Sequence, residues 1–418
     1  MHISHSRRNV IKQILGGVAV AAVGRTGAAY AQSETLRIAC IYPLSGAIGM
    51  MGNAMLAGAK IAADEINRSG GVLNKKIELV IRDDKASPAE AALVARETLG
   101  SGIKFVLGGL LTAPSMAVNG LLQENNAVFL QTGAQVMGLT HENFNPNAFR
   151  LNVNAYMAQS AGAMAMPLGN PNVVKWGSII PDNQFGHDNS RLFTTALRKA
   201  YKTKLNKDIE VMDPIAVPFP ATDFKVAISR LMASDIEGLY MAIVGADMLT
   251  FMGQAKQLGL YNKIKVFVDS GVGVQVADSL GTNLPKDSLW TWEPWFPYDK
   301  DMNAVGKQLV KDWSETSKAP INGQMWHGHT GMLALANAIR NAKSQDPAAV
   351  RTALESVQFE SANGPFRFRK EDHQGIARIN VFRFTQKPGG SGWEVPRVIT
   401  VAGEDVIEPP SPGQKFAL

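Results

Sequence analysis

From Leu36 onward, short apolar runs alternate with longer segments in which apolar residues recur every three to four positions. The runs at 36–42, 76–82, 105–110 and 127–131 have the length and continuity of strands buried on both faces, as in a parallel sheet. Between them, 53–67 places Met55, Ala59, Ala62 and Ile66 on one helical face and stops at Gly70-Gly71. Ser87-Pro88-Ala89-Glu90 opens the next helix as a capping box with proline at its first position. Such strand–helix repeats predict a doubly wound sheet. The alternation restarts after Asn154, with strands expected at 173–180, 210–217, 239–244 and 265–269 and helices at 188–201, 223–232 and 246–258. The fold class is therefore α/β, with two doubly wound parallel-sheet lobes. The run 290–297, with four aromatics and two prolines, reads as a linker or lid rather than a core strand. Helices are expected at 300–317 and 323–342 and from Asp346-Pro347, followed by a strand-rich tail at 366–368, 378–385 and 393–400.

The first 31 residues differ in kind. Ser6-Arg7-Arg8-Asn9-Val10-Ile11-Lys12 has the twin-arginine export pattern, 14–23 is a short, mildly apolar stretch, and Ala29-Tyr30-Ala31 is a small-x-small cleavage site. The apolar stretch is about half of what a membrane span needs. Residues 1–31 are therefore expected to be a signal peptide cleaved near Ala31, which puts the protein in the periplasm. The leader holds four of the 42 basic residues and no acid, so the remainder carries 38 against 36, a net charge of +2. With no basic block left, a nucleic-acid partner is not expected. Cys40 is the only cysteine, so no intramolecular disulfide can form. Arg37 stands where a lipidation motif wants an apolar residue, and Cys40 reads as a buried strand thiol.

Candidate chemistry begins at Leu44-Ser45-Gly46-Ala47-Ile48-Gly49-Met50-Met51-Gly52, a glycine-rich turn between a strand and a helix. Its glycines recur every third residue, not as G-x-G-x-x-G, and no Walker-type lysine follows, so it is not read as a phosphate loop. The plainer reading is a turn that frees backbone N–H groups at a helix N-terminus, where any anion can be held. No G-x-S-x-G, H-E-x-x-H or C-x-x-C is present. His327-Gly328-His329 would point its rings to opposite faces of a helix and reads as two ordinary polar histidines near a helix start. Asp83-Asp84 reads as a solvated strand end. No enzyme activity, cofactor or metal is expected.

The run Pro43-Leu44-Ser45-Gly46, then Gly52, Gly58-Ala59, Asp64-Glu65-Ile66-Asn67, Gly70-Gly71-Val72 and Asp83-Asp84, resembles the type I periplasmic solute-binding proteins of the branched-chain amino acid transport group. Further matches are Phe105-Val106-Leu107-Gly108-Gly109, Asp182-Asn183-Gln184-Phe185-Gly186, Ala221-Thr222-Asp223-Phe224, Gln254-Ala255-Lys256-Gln257-Leu258-Gly259, Gly364-Pro365-Phe366-Arg367-Phe368 and Asp372-His373-Gln374. The resemblance implies two lobes joined by a three-segment hinge, the first formed by 32–153 and 293–360 and the second by 154–292 and 361–418. It implies a solute held between them. By that likeness Met51 lines the cleft where relatives often have an aromatic, and Thr112, Ala113, Gly133, Ala134 and Gln135 hold the solute carboxylate. Phe185, Gly245, Asp269 and Gly271 line the second lobe.

Three departures bear on the solute. Gln135 replaces a threonine common in relatives, and Phe185 replaces a tyrosine. Ser270-Gly271-Val272-Gly273 occupies the place of the acid that pairs with an α-ammonium, leaving Asp269 nearby. A desolvated ammonium without a carboxylate is costly, so an acid with an apolar or aromatic body fits at least as well as an amino acid. The expected function is a monomeric solute-binding component of an ABC importer. It would capture a small carboxylate-bearing solute, either a branched-chain or hydrophobic amino acid or an aromatic acid, and deliver it to the membrane permease. The alternatives are a soluble sensor or regulatory binding protein for amides or related solutes, and an exported α/β enzyme.

Overall fold

In the computed structural model, which describes residues 35–418 apart from Ala47, Val272 and Ser391, the predicted alternation takes the form of two sheets. The expected export leader and cleavage site lie outside the described residues. The first sheet is built from β1 (Leu36–Tyr42), α1 (Gly49–Arg68), β2 (Ile77–Asp83), α2 (Pro88–Gly100), β3 (Phe105–Gly108), α3 (Thr112–Asn119), β4 (Val128–Gln131) and β5 (Ala148–Arg150). All five strands are parallel, in the order β2-β1-β3-β4-β5. Continuous apolar strands suit this placement because helices cover both faces. Met55, Ala59, Ala62 and Ile66 of α1 pack on one face, and Ala91, Val94 and Val118 on the other. The helix expected from residue 53 begins four residues earlier, so Met51 lies within its first turns. Ser87 caps α2 as expected, its hydroxyl accepting from the Glu90 N–H.

The second sheet follows from α4 (Ala155–Gly169), β6 (Lys175–Pro181), α5 (Gln184–Leu205), β7 (Glu210–Val211), β8 (Ile215–Val217), α6 (Lys225–Ala233), β9 (Gly238–Met241), α7 (Gly245–Gln257), β10 (Val266–Asp269), α8 (Val274–Leu280) and β11 (Leu289–Glu293). The run expected as one strand at 210–217 is broken between β7 and β8 by Asp213-Pro214, since proline cannot donate to the ladder. Both pieces pair with β6. The parallel strands run β7/β8, β6, β9, β10, β11, which repeats the order of the first sheet. Then come α9 (Ala304–Thr316), α10 (Met325–Ala342), α11 (Pro347–Leu354), β12 (Gln358–Ser361), β13 (Gly364–Phe368) and β14 (Gly375–Ile376). Last are β15 (Ile379–Gln386), which extends the second sheet antiparallel to β11, and β16 (Trp393–Val401), which pairs antiparallel with β15 at the edge.

The tryptophan-rich run is where the sequence reading fails. Residues 289–293 are a fully buried strand pairing β10 on one side and β15 on the other, not a linker or lid. Trp290 and Trp292 fill one side of the sheet and Leu289 the other, and both prolines fall after the strand, where they break no ladder bond.

Core membership shows where the chain passes from one sheet to the other. Leu151 belongs to the first core and Val153 to the second; Trp292 to the second and Trp295 to the first; Ala377 to the first and Ile379 to the second. Phe366 and Phe368, expected in the second lobe, bury in the first core, because β13 pairs with β12 and β14 rather than with β15. The returning helix α10 docks on α1 through reciprocal glycines. A Cβ on Gly58 would lie 1.9 Å from the Met325 carbonyl oxygen, and one on Gly328 would lie 1.8 Å from that of Met55.

Candidate functional site

In a sheet of this order, the connections leave the first and third strands in opposite directions and open a crevice at the carboxyl ends. That point lies between β1 and β3 in the first sheet and between β6 and β9 in the second. The helices α1, α3, α5 and α7 begin there. Met51 is in the first turn of α1 and half-buried, Thr112 and Ala113 open α3 and are exposed, Phe185 is in the first turn of α5, and Gly245 opens α7. Side chains do not cap α1, α3 or α7; in α1 the Gly49, Met51 and Gly52 N–H groups donate instead to the Gly46 and Ile48 carbonyls. The start of α5 is capped by Asn183, whose Oδ1 accepts from the Gly186 N–H at 3.0 Å. Phe185 is 47% exposed and Leu111 37%, so neither is a core residue.

The turns beside these helices are held by side chains from neighbouring strands. Asp83, at the end of β2, accepts from the Leu44 N–H at 2.9 Å and from the Ser45 hydroxyl at 2.6 Å, fixing the glycine-rich turn. Its neighbour Asp84 is buried and accepts from the Ala86 N–H at 2.9 Å, so this pair is not the solvated strand end expected from the sequence. After β4, the Gly133 and Ala134 N–H groups both donate to the Gly109 carbonyl at 3.1 Å. That turn therefore presents the half-buried Gln135 side chain rather than those two amides. Asn152 Nδ2 donates to the Gly133 carbonyl at 2.7 Å, and the Ala155 N–H to that of Gln135 at 2.9 Å.

Asp269 closes β10 and is fully buried. One carboxylate oxygen accepts from the Gly271 N–H at 3.0 Å and the other from the Thr291 hydroxyl at 3.1 Å. Gly271 has φ +103°, and a Cβ there would lie 2.2 Å from the Trp292 ring, so only glycine fits. Glu293, two residues beyond Thr291, is buried and accepts from the Val274 N–H at 3.3 Å. Burial, aided by the nearby Asp269 charge and opposed by that N–H, raises its carboxyl to about 8. Other acids after second-lobe strands are also engaged. Asp182 lies 3.0 Å from His187 Nε2, Asp223 accepts from the Lys225 N–H at 2.9 Å, and Asp247 accepts from the Ala221 N–H at 2.9 Å.

Sequence reasoning missed Asp83 as the organiser of the first turn, Asn152 behind Gly133, and Glu293 altogether. The last was hidden in the run read as a linker. His327 and His329 are buried, not ordinary polar positions. His327 Nε2 meets Asn152 Oδ1 at 3.0 Å, and His329 Nε2 meets Glu65 Oε2 at 3.3 Å. Burial lowers His327 to about 4, so it is neutral at physiological pH. Burial likewise raises the Cys40 thiol to about 12. Among the described residues, no group of three or more His, Cys, Asp or Glu could hold a metal ion, and no helix is long and apolar enough to cross a membrane.

Two α/β lobes with matching crevices define a class, and comparison with known sequences identifies the family. The profile of the family described as periplasmic binding protein matches residues 35–390, and the chain belongs to that family. The leucine-specific-binding protein of Salmonella typhimurium is 23% identical over 375 residues, covering 89% of this chain and 96% of the relative. Among solved structures, an ABC-type branched-chain amino acid transporter from Rhodopseudomonas palustris superposes with a TM-score of 0.77 at 20% identity, covering 91% of this chain and all of that one. A solute-binding protein of an ABC transporter from R. palustris, in complex with benzoate, superposes with a TM-score of 0.70 at 19% identity, covering 88% and 98%. At these identities the structural likenesses establish the fold.

Proposed function

We propose that this protein is the extracytoplasmic solute-binding component of an ABC importer, taking up a small carboxylate that lacks an α-ammonium, with an apolar or aromatic body. The reading places the crevices of the two sheets face to face, with the chain passages near 152, 294 and 378 as the hinge. The solute carboxylate meets the start of α3, with the Thr112 hydroxyl as donor, and Gln135. Met51, Leu111 and Phe185 enclose its apolar body, and Gly245 and Gly271 let the backbone of the second lobe come close. Closure follows when the solute contacts both lobes, and the closed form is what the permease recognises.

The observation that carries the choice of solute is the state of Asp269: buried, with both oxygens already accepting hydrogen bonds. Burial also raises the Glu293 carboxyl to about 8, which disfavours its charged form. At Asp269 a solute ammonium would therefore lose its hydration without gaining a free carboxylate oxygen. A thermal-shift screen of aromatic acids, short-chain carboxylates, amino acids and amides tests the reading, since a solute that binds only the folded form raises the melting temperature. Acids lacking an amine should give the largest shifts; shifts with amides alone would favour the sensor alternative. The reading also includes export by the twin-arginine route, resting on Arg7-Arg8 before a weakly apolar stretch. Replacing both arginines with lysine should leave precursor in the cytoplasm, and normal export of that variant would contradict the route.

A further inference from the structure

A buried polar cluster joins the β4–β5 connection, the first passage between the sheets, the turn after β13 and the C-terminal tail. Arg150 is 2% exposed; its Nε donates to Gln374 Oε1 at 2.6 Å, and its terminal nitrogens donate to the Val136 carbonyl and the Thr140 hydroxyl. Arg369 pairs with both oxygens of Asp372, at 2.8 and 2.6 Å, and donates to the Glu408 carbonyl at 2.5 Å. From the tail, Glu408 Oε1 accepts from Asn154 Nδ2 at 2.6 Å and lies 3.2 Å from His141 Nε2 and 3.9 Å from Arg369. His141 Nδ1 lies 2.6 Å from the Ser411 hydroxyl.

Two guanidinium groups thus face two carboxylates, with His141 beside them; His373, 3.7 Å from Glu355, flanks the group. Burial opposes the charge on Glu408, but hydrogen bonds from His141 and Asn154 and the Arg150 charge outweigh it and hold the carboxyl below its ordinary value. The cluster continues into the turn after β4. Gln374 Nε2 donates to the Asn152 carbonyl at 2.9 Å, and Asn152 Nδ2 donates in turn to the Gly133 carbonyl at 2.7 Å. A buried ion cluster adds little stability over apolar side chains of the same volume, but its directional bonds fix the geometry of the segments it joins.

We propose that Glu408 is a positioning residue for the solute site: through His141, Asn154 and the Arg150–Gln374–Asn152 chain, the C-terminal tail holds the Gly133–Gln135 turn in register with the hinge. The proposal rests on reading that turn as part of the solute site, and the test separates the two. Hydrogen exchange of the ligand-free full chain compares the parent with Glu408→Gln and, as a control in the same tail, Glu404→Gln, whose partner Arg367 is 3.4 Å away at the surface. In Glu408→Gln, the amides of 133–141 and Ala155 should exchange about tenfold faster, while those of β6 and β9 stay at the parent level. Glu404→Gln should change neither. If Glu408→Gln fails to fold, Ser411→Ala should give the same pattern more weakly.

Binding is then measured with benzoate and leucine, using whichever the parent binds. Glu408→Gln should lower the affinity about fivefold or more, and its effect should be non-additive with that of Asn152→Ser. Exchange in 133–141 that stays at the parent level, or rises equally in both sheets, overturns the proposal, as does additive loss in the double variant. If the parent binds neither probe but the localised exchange appears, the coupling of tail to turn stands and the solute reading fails.

Discussion

At the crevice of the first sheet, the groups near the strand ends are the Thr112 hydroxyl, the Gln135 amide and the first-turn N–H groups of α3, while Asp83 is occupied by the Ser45 hydroxyl and the Leu44 N–H. At the matching place in the second sheet stand carboxylates, Asp182, Asp247 and Asp269, each engaged by the protein's own donors. The strand order is the same in both. A repeated topology supplies the same crevice twice, and the residues after each strand decide what it can hold: uncharged donors on one side, and on the other acids of which Asp269 has both oxygens occupied. On the proposed reading a carboxylate suits the first, and an ammonium would find no free oxygen at Asp269.

Breaking the first half of this contrast should have the largest effect. Thr112→Ala removes a hydroxyl proposed to donate to a charged carboxylate. The loss should be about 1.5–3 kcal/mol, about ten- to a hundredfold in affinity by isothermal titration, with an unchanged melting temperature because Thr112 is exposed. Asp269→Asn tests the second half. It weakens the acceptors facing Gly271 and Thr291 and should cost about 1–3 kcal/mol of folding stability in denaturant, while altering the affinity for acids and amino acids alike. Phe185→Ala should weaken an aromatic acid about fivefold and leave stability nearly unaltered, since that side chain is 47% exposed.

Glu293 sharpens the comparison through pH. Its carboxyl titrates near 8 in the fold against an ordinary 4.5. The folded state thus holds a proton that the unfolded chain has released, and stability should fall as pH rises from about 4.5 to about 8. Glu293→Gln should flatten that decline in melting temperature across the same window. An unchanged slope would mean that Glu293 does not titrate there.

The two sheets were legible in the sequence because strands buried on both faces are continuous apolar runs, and helices covering them carry one apolar face. Aromatic residues and prolines hid β11. The signal that could have revealed it is the position of both prolines after Glu293, which leaves 289–293 free to pair. The placement of Phe366 and Phe368 was not readable because it depends on whether β13 pairs with its hairpin neighbours or with the second sheet. Starts of helices such as Thr112 and Phe185 could be found from local pattern and resemblance. What engages Asp269 could not, since Thr291 arrives from 22 residues away, and Asn152 meets Gly133 only because the first passage between sheets folds back behind β4.

The central claim is that the cleft takes a carboxylate and offers no partner to an ammonium. Paired titration of the protein with benzoate and leucine at neutral pH tests it most directly, run on the parent and on Asp269→Asn and Glu293→Gln. Benzoate should bind more tightly than leucine to the parent, and neither substitution should alter that preference. Leucine binding more tightly than benzoate, with that advantage lost in Asp269→Asn or Glu293→Gln, would contradict the claim and show that one of these acids receives the solute's positive charge.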